Sequence, residues 1–415
     1  NIFNRQGIKM KIIFLSIGGF KSIEAHDQYP DLLREFQKNG HEIFVVCSNE
    51  KKTGKSTELE IDHGAKILRV RTGNITQSGL IEKGIATIML GYQYKMAIKK
   101  YFRNIKFDLI LYTTPPISLA NVIAYLKKRN NAITYLILKD IFPQNAVDIG
   151  MLQSTGLLYH IFKKQEKKLY RNSDKIGTMS KANQKYLLVH NPEINPDKVE
   201  VCPNCIDARI IKISDNAKRK IRKKYKIPLN KKVFVYGGNL GKPQDIPFVI
   251  RCIQKANVIE NAFFWVIGNG TEYTLIEKFV KEKKPKNLKL TQILPKEDYD
   301  RIIASCDVGL IFLDHRFTIP NFPSRLLSYM QAGLPVLSCT DSNSDIGQTI
   351  IDGKFGWMCK SNSEQNFVQL VQKITLIDTT PQAQNARIHL ADYTANKCFN
   401  IISESISKIL NGAIK

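Results

Sequence analysis

The sequence lacks features that mark several specialised classes of protein. None of its apolar runs approaches the ~20 residues that a helix needs to cross a bilayer, and the longest, such as 11–17, have the length of a strand. Its seven histidines show no spacing typical of metal ligands. Its eight cysteines are scattered through 415 residues, a length that does not depend on disulfide bonds for stability. We therefore expect a cytoplasmic protein with free thiols.

Acidic side chains are also scarce. The chain has 37 aspartates and glutamates against 62 lysines and arginines, which gives a net charge of +25. Such a charge attracts nucleic acid, an anionic membrane surface or a phosphorylated substrate. No helix-turn-helix, RNP or zinc-finger motif appears, and the aromatic residues are not interleaved with the basic runs. The charge is thus the one feature of the sequence that supports nucleic-acid binding. Because no motif accompanies it, we expect no nucleic-acid partner.

Short apolar strands alternate with periodic helices in both halves of the chain. The first half opens with the strand KIIFLSIGG (11–19), and the second opens with VFVYGGN (233–239) after a charged stretch, 208–230, that we interpret as a linker. This alternation predicts parallel βαβ units. We expect an α/β protein with two doubly wound, Rossmann-like domains that face each other across a cleft, where ligands bind at the carboxyl ends of the strands.

The predicted domains have the following limits. The first domain covers 10–207 and would bind the acceptor, with Met10 as the expected natural start. The second covers 208–390 and would bind a nucleotide. A last helix, 391–415, is long enough to return to the first domain.

Glycine loops end two strands of the second half. Gly237-Gly238-Asn239-Leu240-Gly241-Lys242 and Gly268-Asn269-Gly270 each precede a helix, so backbone amides, a helix N-terminus and Lys242 favour a phosphate there. An ordinary turn is the alternative for both loops. Leu294 follows a third strand, where backbone groups would meet a base edge. The segment PNFPSRLLSYMQAGLPVL (320–337) adds a helix start: Ser324 would cap it, and Arg325 would clamp a diphosphate or, alternatively, lie in solvent.

The first half offers its own candidates at strand ends. Gly18 and Gly19 open a loop that is soon followed by His26, and Lys139-Asp140 ends a strand. A carboxylate at such a position is typical of acid–base chemistry, although it is also a common cap. Two other motifs are interpreted as structural: Asp298-Tyr299-Asp300 at a helix start, and Cys202-Pro203-Asn204-Cys205, which has no further ligand at metal-site spacing.

The order of these motifs from Met10 onward resembles the family 4 glycosyltransferases, which have the GT-B fold. The stretches that carry the resemblance are YPDLLREFQKNGHEIFVV, TTPP (113–116), LKDIFPQNAVDIG (138–150), VEVCPNCID, YGGNLGKPQD, VIGNG, FPSRLLSYMQAGLPVL and SDIG (344–347). The sequence looks closest to the bacterial branch that builds capsule and O-antigen repeats, including the L-fucosamine transferases.

The resemblance implies a retaining enzyme that moves a sugar from a UDP-sugar to a polyprenyl-diphosphate-linked saccharide, without a metal or another cofactor. Gly18, Gly19 and Asp140 match its first glycine loop and its acidic position, and we assign catalytic roles to Asp140, His26, Lys242 and Arg325. The expected donor contacts are Gly18, Gly19, Gly238, Asn239, Gly241, Lys242, Gly268, Asn269, Gly270, Leu294, Asn321, Ser324, Arg325 and Ser328.

The sequence departs from the family at one point. The broader family has two glutamates eight positions apart, and these positions are Pro320 and Ser328 here. A carboxylate can bind both ribose hydroxyls, whereas a serine offers one hydroxyl. We therefore hypothesise that backbone amides of residues 321–324 take over contacts to the sugar or diphosphate.

Two helices of the first half, 85–106 and 156–171, are both basic and apolar. They are either core helices with solvated lysines or a surface for anionic lipid, which would place the enzyme on the inner face of the cytoplasmic membrane. Three other functions compete with the transferase: a nucleic-acid-binding protein, a GT-B enzyme such as an epimerase, and an inactive GT-B scaffold.

Overall fold

The computed structural model describes residues 9–75 and 80–413 and divides the chain into two compact units. The first unit extends to Asp207 and resumes at Thr394, and the second is Ala208–Tyr393. The sequence predicts divisions after 207 and 390, and the contacts divide the chain after Asp207 and Tyr393. The expected leader is residues 1–9, and residues 1–8 of it lie outside the described residues.

The first unit is built on an eight-stranded sheet of order β3-β4-β2-β1-β5-β6-β7-β8. Its elements are β1 Lys11–Leu15, α1 Gln28–Lys38, β2 Glu42–Glu50, β3 Glu58–Asp62, β4 Ala65–Thr72, α2 Leu80–Tyr101, β5 Leu109–Thr113, α3 Ala120–Asn130, β6 Ile133–Leu138, α4 Gln144–Asp148, α5 Leu157–Asn172, β7 Lys175–Thr178, α6 Lys181–His190 and β8 Val199–Val201. Only β3 pairs antiparallel among the described strands. The central strands are apolar throughout because helices cover both faces of a parallel sheet.

Helix α1 shows how sequence sets these elements. Asp27 caps it by accepting a hydrogen bond from the Gln28 amide at 2.8 Å. Leu33 and Phe36 are buried on one face, as helical spacing requires. Gly40 then follows with a φ of +86°, which favours glycine and ends the element before β2.

The second unit contains a six-stranded, fully parallel sheet of order β11-β10-β9-β12-β13-β14. Its elements are α7 Asp215–Lys224, β9 Lys232–Asn239, α8 Ile246–Lys255, β10 Ala262–Asn269, α9 Tyr273–Lys283, β11 Leu288–Thr291, α10 Lys296–Ala304, β12 Val308–Phe312, α11 Arg325–Ala332, β13 Val336–Thr340, α12 Ile346–Asp352, β14 Gly356–Lys360, α13 Glu364–Thr375 and α14 Thr380–His389. The carboxyl ends of the strands lie at one edge and the amino ends at the other.

The charged stretch 208–230 is not a simple linker, and that prediction is wrong in part. It contains α7, whose first turn is capped by Ser214 through the Ala217 amide. Arg222 is buried and donates to Asp307 at 2.6 Å, which ties the helix to the sheet. One arginine of this basic run is therefore a buried structural residue. Composition alone does not distinguish it from the other lysines and arginines of the run.

The last helix, α15 Ala395–Ala413, belongs to the first unit and packs against α1, where the rings of Phe36 and Phe399 lie 4.8 Å apart. It also carries Cys398, whose thiol contacts those of Cys202 and Cys205. The sequence motif of two cysteines thus has a third neighbour from a distant part of the chain. In the described ranges, no helix is both long and apolar enough to cross a membrane.

Candidate functional site

The two glycine loops of the second unit lie side by side at the carboxyl edge of its sheet. Gly238 pairs with Gly268, and Asn239 pairs with Asn269. Gly238 has a φ of +124°, and a Cβ on Gly268 would lie 1.9 Å from the Gly238 carbonyl oxygen. Both positions therefore require glycine, one for its conformation and the other for close approach of two backbones.

Gln244 shapes the first glycine loop from within. Its side-chain oxygen accepts hydrogen bonds from the Gly241 amide at 3.2 Å and from the Asn239 side chain at 3.1 Å. These two donors, which we expected to meet a phosphate, are engaged inside the loop. The sequence analysis did not single out Gln244, although a glutamine three residues after Gly241 is a known helix-start signal.

Arg325, the first residue of α11, reaches back over this loop. Its Cζ atom lies 3.6 Å from the place where a Cβ on Gly238 would stand, and 4.4 Å from the centre of the Tyr236 ring. Its Nη1 atom is buried without a hydrogen-bond partner. Within the described part of the chain, no carboxylate forms an ion pair with it. Arg325 is thus half-buried, with one fully buried nitrogen, and no carboxylate of the described residues balances its charge.

Three tyrosines surround this arginine. The Tyr329 hydroxyl accepts from the Gly237 amide at 3.2 Å and donates to the Leu310 carbonyl at 2.9 Å, and the Tyr236 hydroxyl donates to the Asn239 carbonyl at 2.5 Å. Tyr299 lies against Gly237. Burial alone would lower the pKa of Arg325, but these tyrosines outweigh burial and raise it. The guanidinium therefore stays charged.

These three tyrosines were not predicted as site residues. Tyr299 stands in the Asp298-Tyr299-Asp300 triplet, which we considered for its carboxylates. Asp300 is buried and paired with Lys296 and with Arg209, which agrees with the structural interpretation of that triplet.

The predicted cap at Ser324 is wrong. Ser324 is exposed, its side chain makes no capping hydrogen bond, and its φ and ψ of −65° and −18° are already helical. A serine caps a helix from an extended conformation, which aims its oxygen at the first amides. The Asn321 amide donates to the Ser344 hydroxyl at 2.8 Å, so one of the amides proposed to replace the missing glutamates is engaged. Ser328 is half-buried in α11.

Lys242 and Leu294 lie near the same edge. Lys242 is exposed and interacts with Glu272, which follows Gly270 and was not predicted. Burial raises the pKa of Glu272, while Lys242 opposes that rise, and one carboxylate oxygen of Glu272 is buried without a hydrogen-bond partner. Leu294 is half-buried just before α10.

One group of three ligating side chains among the described residues lies close enough to hold a metal ion: Asp245, Asp314 and His315. Both carboxylates already have partners. Arg316 donates to both oxygens of Asp314, and Asp245 accepts from the Phe248 amide at 3.2 Å. Although burial opposes it, Arg316 holds the pKa of Asp314 below its usual value. The arrangement is that of an ion-paired loop.

The first unit brings its candidates to one edge of its own sheet. Lys139 donates to the Gln28 side chain, and its Nζ lies 4.2 Å from the centre of the Tyr29 ring, so the end of β6 meets the start of α1, next to His26. Burial raises the pKa of Asp140, although Lys139 opposes the rise. Within the described residues, the Asp140 carboxylate forms no hydrogen bond.

Gly18 and Gly19 are exposed in the loop after β1. A Cβ at either position would meet no atom within 4 Å, and neither has a positive φ. The fold of the first unit therefore does not itself require glycine there.

Comparison with known proteins places this site in a family. The model of "Glycosyltransferase Family 4" matches residues 31–210, and that of "Glycosyl transferases group 1" matches residues 217–388. The chain is a glycosyltransferase whose two halves match these two domain families. This glycosyltransferase is 25% identical over 309 residues to a probable glycosyltransferase, WbjE, of Pseudomonas aeruginosa, which covers 72% of this chain and 73% of that protein.

Two further relatives agree with this assignment. The glycosyltransferase is 23% identical over 256 residues to WcaI of Escherichia coli K12, a putative colanic acid biosynthesis glycosyl transferase, with 59% of this chain and 60% of that protein covered. The crystal structure of Anabaena Alr3699/HepE in complex with UDP-glucose superposes with a TM-score of 0.70 at 16% identity, over 96% of this chain and 100% of that chain. The predicted resemblance to family 4 glycosyltransferases, the enzyme class and the GT-B fold class are confirmed.

Proposed function

We propose that this glycosyltransferase moves a sugar, an N-acetylated or deoxy hexose, from a UDP-sugar to a polyprenyl-diphosphate-linked saccharide during capsule or O-antigen synthesis, with retention of configuration and without a metal. The second unit binds the donor and the first unit binds the acceptor. The names of the two bacterial relatives and the UDP-glucose bound to the Anabaena protein support the proposal. The L-fucosamine branch is its most specific form.

The observation that carries the proposal is the charge of Arg325 beside Gly238, which no carboxylate of the described residues balances. A diphosphate at this point would receive charge-assisted hydrogen bonds from the guanidinium. Negative charge grows on the leaving diphosphate as the bond to the sugar breaks, so a fixed cation stabilises the transition state. The N-terminus of α11 adds a smaller contribution of the same sign.

The remaining donor contacts follow the edge of the same sheet. Backbone groups near Leu294 would meet the base, and the Ser328 hydroxyl would meet the ribose. Lys242, which is exposed and influences Glu272 electrostatically, would reach the diphosphate. The glycines at 238, 241, 268 and 270 let the donor approach the backbone closely.

Asp140 and His26 are the proposed acceptor groups of the first unit. A carboxyl group that lacks a hydrogen bond and whose pKa is raised by burial is suited to receive or orient the proton of an acceptor hydroxyl. Gly18 and Gly19 leave open space beside the loop after β1, which a saccharide or phosphate would occupy.

We assign membrane contact to α2 and α5. Large apolar side chains are exposed on both helices, including Ile88 (60%) and Tyr92 (59%) on α2 and Leu157 (77%) and Ile161 (43%) on α5. Both helices pack against α3, so they lie on one side of the first unit. Their lysines add about 1 kcal/mol each on an anionic surface. We therefore propose that the enzyme acts on the inner face of the cytoplasmic membrane.

A thermal-shift panel of UDP, GDP, ADP, CDP and an RNA oligomer tests the donor. A nucleotide at one hundred times its dissociation constant stabilises the folded state by about 2.7 kcal/mol, and we expect that response from UDP alone. A shift with RNA and none with any nucleotide would contradict the proposal. Product formation from a UDP-sugar and a polyprenyl-diphosphate acceptor then separates an active enzyme from an inactive scaffold.

Flotation with phosphatidylglycerol vesicles tests the membrane surface. The variant Leu157→Glu/Ile161→Glu should lose vesicle binding, because it places two carboxylates on the apolar side of α5. Ile388→Glu is the control, since Ile388 is 67% exposed in the second unit. Equal flotation of the double variant and the control would remove α5 from the membrane surface.

A further inference from the structure

A cavity of about 780 Å³ opens in the second unit at the amino edge of its sheet. Its walls are α7, the residues that precede β9 and β10, and Asp307, which precedes β12. The glycine loops stand at the other end of the same strands, about 26 Å away along the eight residues of β9. A ligand in this cavity would therefore not compete with the donor.

The cavity is strongly basic. Five cationic side chains line it against two carboxylates, those of Asp215 and Asp307. A third carboxylate, Asp378, lies near Lys232. A volume within the usual range of small-molecule sites, combined with an excess of positive charge, favours an anionic ligand.

Three of the five cations already have structural partners. Lys218 and Arg222 share Asp307, at 2.7 and 2.6 Å, and Lys232 donates to the carbonyls of Ile374 and Ile377 at the end of α13. These contacts hold the three side chains in place in the wall of the cavity. They also use up the charge of Asp307, so Asp215 is the one other carboxylate in the lining of the cavity.

Arg219 and Lys231 are the two available cations. Within the described residues, neither forms a hydrogen bond or an ion pair through its side chain. Arg219 is exposed on α7, and Lys231 is half-buried at the start of β9. They line one cavity together with the amides of Asn230 and Asn261, which supply neutral donors.

We propose that this basic cavity is a second anion site, which takes a ligand with a diphosphate or a denser cluster of phosphate groups. Two free cations and neighbouring amide donors suit several phosphate oxygens held close together. A single carboxylate carries one negative charge, so it would neutralise only half of the charge of the two cations. The ligand is either a soluble phosphorylated compound or the phosphorylated headgroup of a lipid.

Calorimetric titration with inorganic pyrophosphate at low salt tests the proposal on the full chain. The titration uses protein with Arg325→Ala, so that the donor site does not contribute. We expect this protein to bind pyrophosphate and Arg219→Glu/Lys231→Glu in the same background to bind at least tenfold more weakly. The matched control is Lys212→Glu/Lys223→Glu, which changes the net charge equally at exposed residues that do not line the cavity.

Two results would overturn the proposal: no pyrophosphate binding by the Arg325→Ala protein, or an equal loss in the two double variants. Flotation with vesicles that contain a lipid with a diphosphate headgroup separates the two sources of the ligand. A loss of flotation in Arg219→Glu/Lys231→Glu beyond that of the control assigns the cavity to a lipid headgroup. Unchanged flotation, together with weakened pyrophosphate binding, assigns it to a soluble compound.

Discussion

Replacing Arg325 with alanine separates ligand binding from stability at one position. The guanidinium has a buried nitrogen without a hydrogen-bond partner, and no carboxylate of the described residues pairs with it, so its removal takes away a charge that no carboxylate there balances. The contact with the Tyr236 ring is lost at the same time, at a cost of about 0.5–2 kcal/mol. These effects oppose each other, and we expect the free energy of unfolding without ligand to change by less than about 1 kcal/mol.

The effect on UDP binding should be larger. Hydrogen bonds to charged groups contribute about 1.5–3 kcal/mol, and a loss of about 2 kcal/mol weakens the affinity for UDP roughly 30-fold. At a UDP concentration that is one hundred times the dissociation constant of the parent, the stabilisation by ligand then falls from about 2.7 to about 0.9 kcal/mol. Thermal melts with and without UDP, followed by calorimetric titration, measure both quantities.

Two variants complete this experiment. Arg325→Lys should recover only part of the affinity, because lysine keeps the charge but lacks the planar pair of donors. Arg251→Ala removes the same charge from an exposed position on α8, where the arginine is paired with Glu364, and should leave UDP binding unchanged. The reasoning is refuted if Arg325→Ala binds UDP within about threefold of the parent, or if Arg251→Ala loses as much.

Three further changes test the surroundings of the two sites. Tyr329→Phe leaves a buried amide and a buried carbonyl without their partner, and should cost about 1–3 kcal/mol in urea unfolding; an unchanged midpoint would contradict the role of its hydroxyl. Asp140→Asn should lower turnover about 10²–10⁴-fold. Burial raises the pKa of Asp140, so between its unfolded and folded pKa values the folded state binds more protons than the unfolded state. The parent should therefore lose stability as the pH rises above 3.8, the ordinary pKa of an aspartate. Urea unfolding across that pH range should show that Asp140→Asn lacks this loss. Ser328→Glu should weaken UDP binding in the calorimetric titration. Tighter UDP binding would contradict this, and would show that a carboxylate at position 328 still binds the ribose in this protein.

The fold and the glycine loops could be predicted because their signals are local. A strand that ends in glycine and leads into a helix is visible in a short segment, as in 233–245. The alternation of such units along the chain then predicts a parallel sheet. Ser324 shows the limit of this approach, since its residue type suits a cap but its backbone conformation does not.

The tyrosines around Arg325 could not be predicted in this way. Tyr236 comes from the end of β9, Tyr299 from α10 and Tyr329 from α11, so only the folded sheet brings them together. No sequence pattern links positions so far apart. The same holds for Cys398, which completes a contact with Cys202 and Cys205 that their own spacing does not suggest.

The position of Arg325 suggests a physical reason for the absence of one of the two family glutamates, the one expected at 328. Ser328 stands three residues after Arg325 on α11, a spacing at which a carboxylate and a guanidinium pair on a helix. A glutamate at 328 would therefore be placed to neutralise Arg325. With serine there, the arginine keeps its full charge beside Gly238, held by tyrosines that do not carry an opposing charge. The loss of a carboxylate at 328 and an arginine without an ion-paired carboxylate among the described residues are thus two parts of one arrangement. In the proposed donor complex, the diphosphate would carry more of the recognition than the ribose hydroxyls.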